Sequence, residues 1–326
     1  MRRLLSGIVL VVFLGLLAYF GYALFGDRAH PSQITQVVIA RGSTFSDIAS
    51  QLKGAGVIGH ATLFRFYAKL RRADTQAHAG EFRFQPHQTA AQILTQLQTG
   101  GAQIAKWVTF PEGFTAKQIA QHLEDEGLGN AALFANAFMR DSINLGGVHT
   151  KNMEGYLFPD TYLISLDATP RSVETIMTAQ FFKELPPDAA AKARKLGLNL
   201  PQIVTVASLI EREAKADDER PLMAGVYYNR LRLGMPLEVD ATIEYALPKH
   251  QTVVTYSDLR LNSPYNTYLH PGLPPTPIAN PGRPSLLAAL NPRRSEYLYY
   301  VYKGNGHHAF AKTLSEQNAN IAKYLK

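Results

Sequence analysis

The stretch Val204-Thr205-Val206-Ala207-Ser208-Leu209-Ile210-Glu211-Arg212-Glu213-Ala214 forms the middle of the strongest helical pattern in the chain. Asn199 stands before it as a possible N-cap, and Pro201 falls early in the first turn, where a missing N–H is tolerated. We therefore predict a helix that runs through about Lys215. A second helix is expected to begin near Asp218 and to end at Gly234.

The apolar residues of this first helix repeat with the period of a helix that has one buried face. At about 100° per residue, that face is formed by Ile203, Ala207, Ile210 and Ala214. Glu211 falls on one flank of the face, Glu213 falls on the opposite flank, and Arg212 points to the polar side. The helix is therefore expected to carry two carboxyl groups at the two borders of the core.

Glu211 is the best candidate for acid–base chemistry. A carboxyl group held against apolar neighbours loses the solvation of its charged form, so the pKa of Glu211 is expected to rise. A general acid in glycoside cleavage needs that property, because it must keep a proton near neutral pH and give it to the leaving oxygen. The alternative is that Glu211 and Glu213 are ordinary helix-edge glutamates, paired with Arg212, Lys215 or Arg220.

The N-terminal half repeats a unit made of a strand, a turn and a capped helix. In each copy a Thr is followed three residues later by a residue that can complete a capping box, namely Thr44 with Asp47, Thr89 with Gln92 and Thr115 with Gln118. The apolar residues four, five and eight places after each Thr share one helix face. The first copy, residues 38–49, resembles the start of a LysM module, a class that binds N-acetylglucosamine-containing glycans. The alternative is that the units only pack on one another.

Beyond residue 150 the pattern changes. Residues 154–162 are aromatic and rich in turn residues, so no helix is expected there. Residues 262–284 hold too many prolines and glycines for regular structure, which predicts a long loop of the kind that is usually functional in a compact enzyme. A strand from Tyr297 to Tyr302 and a last helix from Thr313 close the chain. The predicted fold class is α+β.

The bulk composition of the 326 residues is that of a folded protein, with 46% hydrophobic and 18% charged residues. The net charge of +7 attracts polyanions, but the basic residues are scattered and no nucleic-acid-binding motif is present. The absence of cysteine excludes thiolate metal sites and a cysteine nucleophile. No Walker loop, dinucleotide fingerprint, Gly-x-Ser-x-Gly elbow or His-Glu-x-x-His motif occurs. His307 and His308 point to opposite sides of a strand, so no metal site is predicted, and carboxylate chemistry remains.

The N-terminus predicts a membrane anchor. From Leu4 to Phe25 no residue is charged, and these 22 residues span about 33 Å as a helix, enough to cross a hydrocarbon core. Arg2 and Arg3 precede the stretch, so the N-terminus is expected in the cytoplasm and the rest of the chain outside a single-pass inner (cytoplasmic) membrane anchor. A cleaved signal peptide is the alternative, but its apolar region usually has only about 7–15 residues.

Several motifs of the C-terminal half occur in the order that one enzyme family shows. One is Ala207-Ser208-Leu209-Ile210-Glu211-Arg212-Glu213. The others are residues 154–162, Asn229-Arg230-Leu231, residues 237–245, Tyr265-Asn266-Thr267-Tyr268, Gly272-Leu273-Pro274-Pro275, Asn280-Pro281-Gly282 and Tyr297-Leu298-Tyr299. Together they resemble the YceG-like (MltG) endolytic murein transglycosylases over nearly the whole chain.

This resemblance implies that Glu211 is the catalytic acid of a lytic transglycosylase. Such an enzyme cleaves the β-1,4 bond between N-acetylmuramic acid and N-acetylglucosamine without water and leaves a 1,6-anhydro end. It requires no metal or organic cofactor. Tyr265-Asn266 resembles the Tyr-Asn pair that holds the sugar in lytic transglycosylases; the alternative for Asn266 is a role in the loop turn.

The remaining substrate-binding candidates are Asp240, Thr242, Tyr245, Glu154 and Glu213, with a structural or orienting role favoured for Glu213. A muramidase-type hydrolase is one alternative function, and it would need a second carboxylate such as Asp240 near Glu211. A membrane-anchored, non-enzymatic peptidoglycan-binding protein is the other.

The domain organisation that follows is a cytoplasmic tip (1–3), a transmembrane anchor (4–25), a linker (26–34), a LysM-like domain (35–105) and a mixed α+β catalytic domain (106–326). The expected binding partner is the peptidoglycan glycan strand and not nucleic acid. The resemblance also implies peptidoglycan synthases (penicillin-binding proteins) as partners, with the enzyme trimming or terminating nascent strands.

Overall fold

The computed structural model describes residues 14–15, 21, 33–40, 42–100, 105–247 and 254–325. In these ranges no helix combines the length and the apolar character that crossing a membrane requires. The predicted anchor, residues 4–25, lies outside the described residues except for positions 14, 15 and 21. The anchor therefore stays a prediction.

The chain divides into two compact units, each with its own hydrophobic core. Unit 1 comprises Met1–Lys106 and Leu163–Asp167, and unit 2 comprises Trp107–Tyr162 and Ala168–Lys326. The boundary predicted from the sequence lies between residues 105 and 106 and stays a prediction, and the assignment of Leu163–Asp167 to unit 1 has no counterpart in the sequence analysis.

Between residues 33 and 100, the described part of unit 1 contains one antiparallel strand pair and three short helices. Strand β1 (Thr35–Ile39) pairs with β2 (Gly80–Phe84) along their whole lengths. The helices are α1 (Phe45–Gly54), α2 (Ala61–Leu70) and α3 (Ala90–Thr99). Thr44 and Thr89 cap α1 and α3 with complete capping boxes, as predicted. The apolar residues that follow each cap, such as Leu52 and Leu97, are fully buried.

The other elements lie after residue 104. The strands are β3 (Ala105–Thr109), β4 (Asn144–Leu145), β5 (Val148–His149), β6 (Thr161–Ser165), β7 (Tyr299–Gly304) and β8 (His307–Ala311), and they pair as β3 with β6, β4 with β5 and β7 with β8. The helices are α4 (Ala116–Asp125), α5 (Ala131–Arg140), α6 (Pro170–Glu184), α7 (Ala189–Lys195), α8 (Leu200–Glu213), α9 (Arg220–Leu233), α10 (Asp240–Ala246), α11 (Arg283–Leu290) and α12 (Leu314–Tyr324). Short 3-10 turns occupy Asp217–Glu219 and Asp258–Arg260. The fold is mixed α+β, as predicted.

Helix α8 is the central helix of unit 2. It begins directly after Asn199, whose side chain caps it in a complete capping box, and it ends at Glu213, two residues before the predicted end. The predicted face is buried, but the prediction of a single buried face was wrong, because every residue from 203 to 210 is buried. The reason is that α7, α9, α10 and α11 all pack against it. The helix is less buried at its two ends, at Pro201 and Gln202 and again from Glu211 to Glu213.

The remaining predicted elements differ from the structure only at their ends. Helix α9 is preceded by a 3-10 turn and is capped by Gly234 in the left-handed conformation. The loop predicted over 262–284 gives way to α11 at Arg283. Strand β7 starts two residues later than predicted, since the carbonyls of Tyr297 and Leu298 accept hydrogen bonds from side chains of α9. Thr313 caps α12 as expected.

Candidate active site

Glu211 lies at the C-terminal end of α8, at the border of the core. Its side chain is 6% exposed. Oε2 accepts a hydrogen bond of 2.9 Å from the backbone N–H of Gly282, and Oε1 accepts one of 3.3 Å from Nη1 of Arg220. The pairing with Arg220 that was the alternative to catalysis is therefore present. The two contacts hold the carboxyl group in one orientation with little exposure to water.

The guanidinium of Arg220 interacts with more than one carboxylate. Its Nε donates to Asp217 Oδ1 at 2.8 Å, and its Nη1 also donates to Ser285 Oγ at 2.5 Å. The Arg220 side chain is 9% exposed, whereas that of Asp217 is 76% exposed. With Glu112, which also interacts with this guanidinium, three carboxyl groups surround one fixed positive charge. Three carboxyl groups beside one guanidinium leave an excess of negative charge at the site when all three are ionised.

Glu112 is the residue of this site that the sequence analysis missed. Its carboxyl group lies against the Cα of Gly282, so closely that a Cβ built on that glycine would overlap it. Partial burial, and then repulsion by Glu211, raise the pKa of Glu112, while Arg220 opposes the shift. The side chain is otherwise exposed, and no described residue donates a hydrogen bond to it. Glu211 and Glu112 therefore contact the same glycine, one through its N–H and the other beside its Cα.

A weak signal for Glu112 was present in the repeat. In the first copy of the unit the turn is Arg41-Gly42, and in the third copy the turn is Glu112-Gly113. The same turn position thus carries an acid only in the copy that belongs to unit 2. Gly113 has a left-handed backbone, with φ at 80°, and a Cβ there would lie 3.7 Å from Cγ of Glu211.

Asn280 fixes the loop that reaches Glu211. Its Nδ2 donates to the carbonyl of Phe114 at 2.9 Å and to Oε1 of Glu154 at 3.1 Å. Its Oδ1 accepts from the backbone N–H groups of Gly155 and Leu157 at 3.0 and 2.9 Å. One buried amide therefore joins three chain segments that surround the site.

Glu154 was predicted to bind substrate, but the structure places it in the core, where it is 1% exposed. It accepts hydrogen bonds from Ala116 N–H, Asn280 Nδ2 and the Tyr245 hydroxyl. Burial raises the pKa of Glu154 to about 8, although these three donors act in the opposite direction. This position differs from the prediction for Glu154, whose carboxyl group is buried and hydrogen-bonded to protein, while Tyr245 is half-buried and donates its hydroxyl hydrogen to Glu154.

Asn266 and Thr242 are also buried, each with 0% exposure. Asn266 donates to two backbone carbonyls of its own loop and accepts from the N–H of Tyr268, which is the turn role named as its alternative. Thr242 donates to the carbonyl of Val239 and bonds to Thr267. Because all these polar atoms face protein, neither side chain is placed to contact a glycan.

Tyr265 is half-buried. Its hydroxyl bonds to Thr276 at 2.8 Å, and its ring centroid lies 5.0 Å from that of Tyr245. It therefore belongs to the packing between α10 and the long loop.

Glu213 and Asp240 lie on the other flank of α8, as the helical wheel predicts for Glu213. Glu213 accepts a hydrogen bond of 3.2 Å from the Tyr300 hydroxyl, and burial, followed by repulsion from Asp240, raises the pKa of Glu213 to about 7. Asp240 accepts a hydrogen bond of 2.5 Å from the Tyr268 hydroxyl. Both carboxyl groups line a separate pocket of about 380 Å³. The second carboxylate beside Glu211 is Glu112, whereas Asp240 was the predicted one.

No metal site accompanies these carboxylates in the described ranges, where no group of three or more His, Asp or Glu side chains could hold an ion. The positive charge at the site comes from Arg220. The neighbouring Arg212 forms an ion pair of 2.9 Å with Glu244 and donates a hydrogen bond of 3.5 Å to the carbonyl of Gly113.

Comparison with known proteins gives consistent matches. The model of the YceG-like family matches residues 37–323. An endolytic murein transglycosylase of Bacillus subtilis is 36% identical over 306 residues, which cover 88% of this chain and 84% of that protein. An endolytic murein transglycosylase of Streptococcus pneumoniae is 31% identical over 356 residues, and the match covers 97% of this chain but 64% of that protein's length.

A solved structure is also similar. The crystal structure of a yceG-like protein from Listeria monocytogenes superimposes with a TM-score of 0.55 at 32% sequence identity. The match covers 89% of this chain and 99% of that one.

Proposed function

The chain belongs to the YceG-like family, and from this premise we propose that it is an endolytic lytic transglycosylase of peptidoglycan, with Glu211 as its catalytic acid and base. The observation that carries the proposal is the setting of Glu211. Its carboxyl group is nearly buried, is oriented by the N–H of Gly282 and by Arg220, and lies beside the exposed carboxyl group of Glu112.

In the first step the protonated Glu211 gives its proton to the glycosidic oxygen between N-acetylmuramic acid and N-acetylglucosamine. The bond from that oxygen to C1 of the muramic acid breaks, and the acetylglucosamine leaves with the proton as a free 4-hydroxyl. The positive charge that develops at C1 is stabilised by the substrate's own N-acetyl group, as in glycosidases that lack a carboxylate nucleophile.

In the second step the 6-hydroxyl of the same muramic acid attacks C1, and the Glu211 carboxylate takes its proton. The product has a 1,6-anhydro end and the enzyme returns to its starting protonation state. Because the nucleophile belongs to the substrate, little entropy is lost in bringing it to C1. No water is consumed.

Glu112 and Arg220 set the charge around Glu211 in this cycle. Before cleavage, the carboxyl group of Glu112 adds negative charge beside Glu211, and the repulsion between the two raises the pKa of Glu112. After proton transfer, Arg220 stabilises the Glu211 carboxylate. The same residue can therefore act first as an acid and then as a base.

The proposal extends to the N-terminal part of the chain. Residues 4–25 anchor the enzyme in the inner membrane, and unit 1 binds glycan as a LysM-like domain. Two features of unit 1 support glycan binding: the order strand, helix, helix, strand in β1, α1, α2 and β2, and a pocket of about 390 Å³ lined by Phe45, Arg65, Phe66 and Lys69. An anchored enzyme acts where nascent strands leave the membrane-bound synthases, which are its expected partners.

The test is mass spectrometry of purified glycan strands after digestion by the full-length chain and by Glu211→Gln. Only the wild type is expected to release products with anhydro ends. The matched control is Glu213→Gln, which changes the other carboxyl group of the same helix and should still release them.

Two other results of this digestion would contradict the proposed mechanism. Reducing ends would show that water attacks C1, and Glu112 would then be the second carboxylate of a hydrolase. Anhydro products from Glu211→Gln would remove Glu211 from the mechanism.

A further inference from the structure

A pocket of about 530 Å³ in unit 2 has no role in the mechanism above. We name it the proline pocket after its apolar wall, which is lined by Pro201, Pro274, Pro275 and Pro277. Tyr156 and Leu273 extend this wall. Such a surface suits small apolar groups, for example the methyl groups of alanine residues.

The proline pocket is electrostatically the opposite of the Glu211 site. None of the described residues that line it is Asp or Glu. It is lined by His149 and by Lys151, an exposed lysine that makes no ion pair with a described residue. The pocket therefore attracts anionic groups, whereas the three carboxyl groups around Arg220 repel them.

Two side-chain amides add unused donors. The Oδ1 of Asn152 accepts from the N–H of Glu154 at 3.1 Å, which leaves its Nδ2 without a partner among described residues, although Asn152 is only 6% exposed. The Oε1 of Gln202 accepts from the N–H of Asn199 at 2.9 Å, which leaves its Nε2 unbound in the same way. Both residues line the pocket, and each of these nitrogens can donate a hydrogen bond to a ligand with acceptor oxygens.

The proline pocket and the Glu211 site lie along one loop and one helix. Ile278 N–H donates to Ser208 Oγ at 3.1 Å and Gly282 N–H donates to Glu211, so the loop follows α8 from its middle to its end. Thr205, which lines the pocket, precedes Glu211 by six residues, a rise of about 9 Å along the helix. An extended peptide of about three residues spans such a rise, so a branch of the substrate is long enough to reach from Glu211 to the level of the pocket.

We propose that the proline pocket binds the carboxylate-bearing stem peptide of the glycan strand whose sugar backbone is cut at Glu211. This inference rests on the proposed function, because it assigns a second part of the same substrate. Lys151 pairs with a peptide carboxylate, the amides of Asn152 and Gln202 donate to its carbonyl oxygens, and the prolines pack against its alanine methyl groups. The enzyme therefore distinguishes strands that carry peptides from strands that do not.

The test compares two substrates: uncrosslinked glycan strands with their stem peptides, and the same strands after an amidase has removed the peptides. For the full-length wild type, kcat/KM on peptide-bearing strands is expected to exceed that on bare strands by about three- to tenfold, the range of a partly exposed ion pair with its hydrogen bonds. Lys151→Glu should bring this ratio close to one, mainly through KM. The matched control, Lys183→Glu, reverses an exposed lysine of α6 outside the pocket and should keep the wild-type ratio.

Binding provides a second measurement that does not need turnover. Glu211→Gln should bind peptide-bearing strands more tightly than bare strands, and Glu211→Gln combined with Lys151→Glu should lose the difference. Equal kcat/KM of the wild type on both substrates, or an unchanged ratio in Lys151→Glu, would overturn the pocket assignment. Absence of cleavage of either substrate, with the binding difference intact, would overturn the transglycosylase proposal and leave the pocket assignment standing.

Discussion

Removal of the charge of Glu112 should move the pH dependence of the enzyme. In Glu112→Gln the carboxyl group beside Gly282 is replaced by a neutral amide of nearly the same size. A nearby like charge favours the protonated form of a carboxyl group, and repulsion by Glu211 raises the pKa of Glu112. Because Glu112 is largely exposed and Arg220 opposes this repulsion, we expect a small displacement of the pH profile of kcat/KM.

The direction in which the pH profile moves follows from the first step of the mechanism. Activity requires a proton on Glu211, so it falls as the pH rises past the point at which that proton is lost. Glu112→Gln removes one of the negative charges that surround Arg220, so the alkaline limb of kcat/KM should move to lower pH. The assay is release of anhydro ends from peptide-bearing strands at a series of pH values.

Glu112→Asp is the matched control, because it keeps the charge and should keep the alkaline limb near its wild-type position. An alkaline limb that stays in place in Glu112→Gln would refute the electrostatic role. A uniform loss of kcat/KM at every pH would indicate instead that Glu112 contacts the substrate directly.

Three further changes test the framework of the site. Between about pH 4.5 and 8 native Glu154 holds a proton that the unfolded chain has lost, so wild-type stability should fall with rising pH, and Glu154→Gln should flatten that slope in thermal melts. Gly282 has a backbone that alanine can adopt, with φ at −75°, but the Cβ of Gly282→Ala would overlap the Glu112 carboxyl group. We therefore expect a lower kcat with little change in melting temperature. The control Gly54→Ala adds its Cβ in open space and should keep full activity. Asn280→Ala leaves the backbone N–H groups of Gly155 and Leu157 unpaired and removes one of the three donors to Glu154, so it should lower the free energy of unfolding in urea by about 2–4 kcal/mol.

The local elements could be predicted from the sequence because their signals lie within a few residues of one another. The caps at Thr44 and Asn199 each depend on a residue three positions later, and both form complete capping boxes. The border position of Glu211 followed from helical periodicity. These features need no knowledge of which distant segment packs against the helix.

The site itself could not be predicted in the same way. Glu112 meets Glu211 only because the backbone of Gly113 pairs with that of Asn280, and sequence spacing does not indicate such a pairing. Glu154 and Asn266 stand in polar, turn-rich motifs that are typical of substrate-binding loops. Their side chains instead satisfy buried backbone groups, which is a property of the packed structure and is not visible in a single sequence.

The long-range hydrogen bonds of Asn280 also determine at which stage of synthesis and folding the catalytic centre can form. Asn280 and Phe114 are 166 positions apart, and Asn280 and Gly155 are 125 positions apart, so these contacts have a high contact order and form late in folding. Every ribosome-bound chain that ends before residue 280 lacks the segment that orients Glu211. A nascent chain therefore cannot cleave peptidoglycan during its own synthesis. Cleavage begins only after the segment around Asn280 has folded against Phe114 and Gly155.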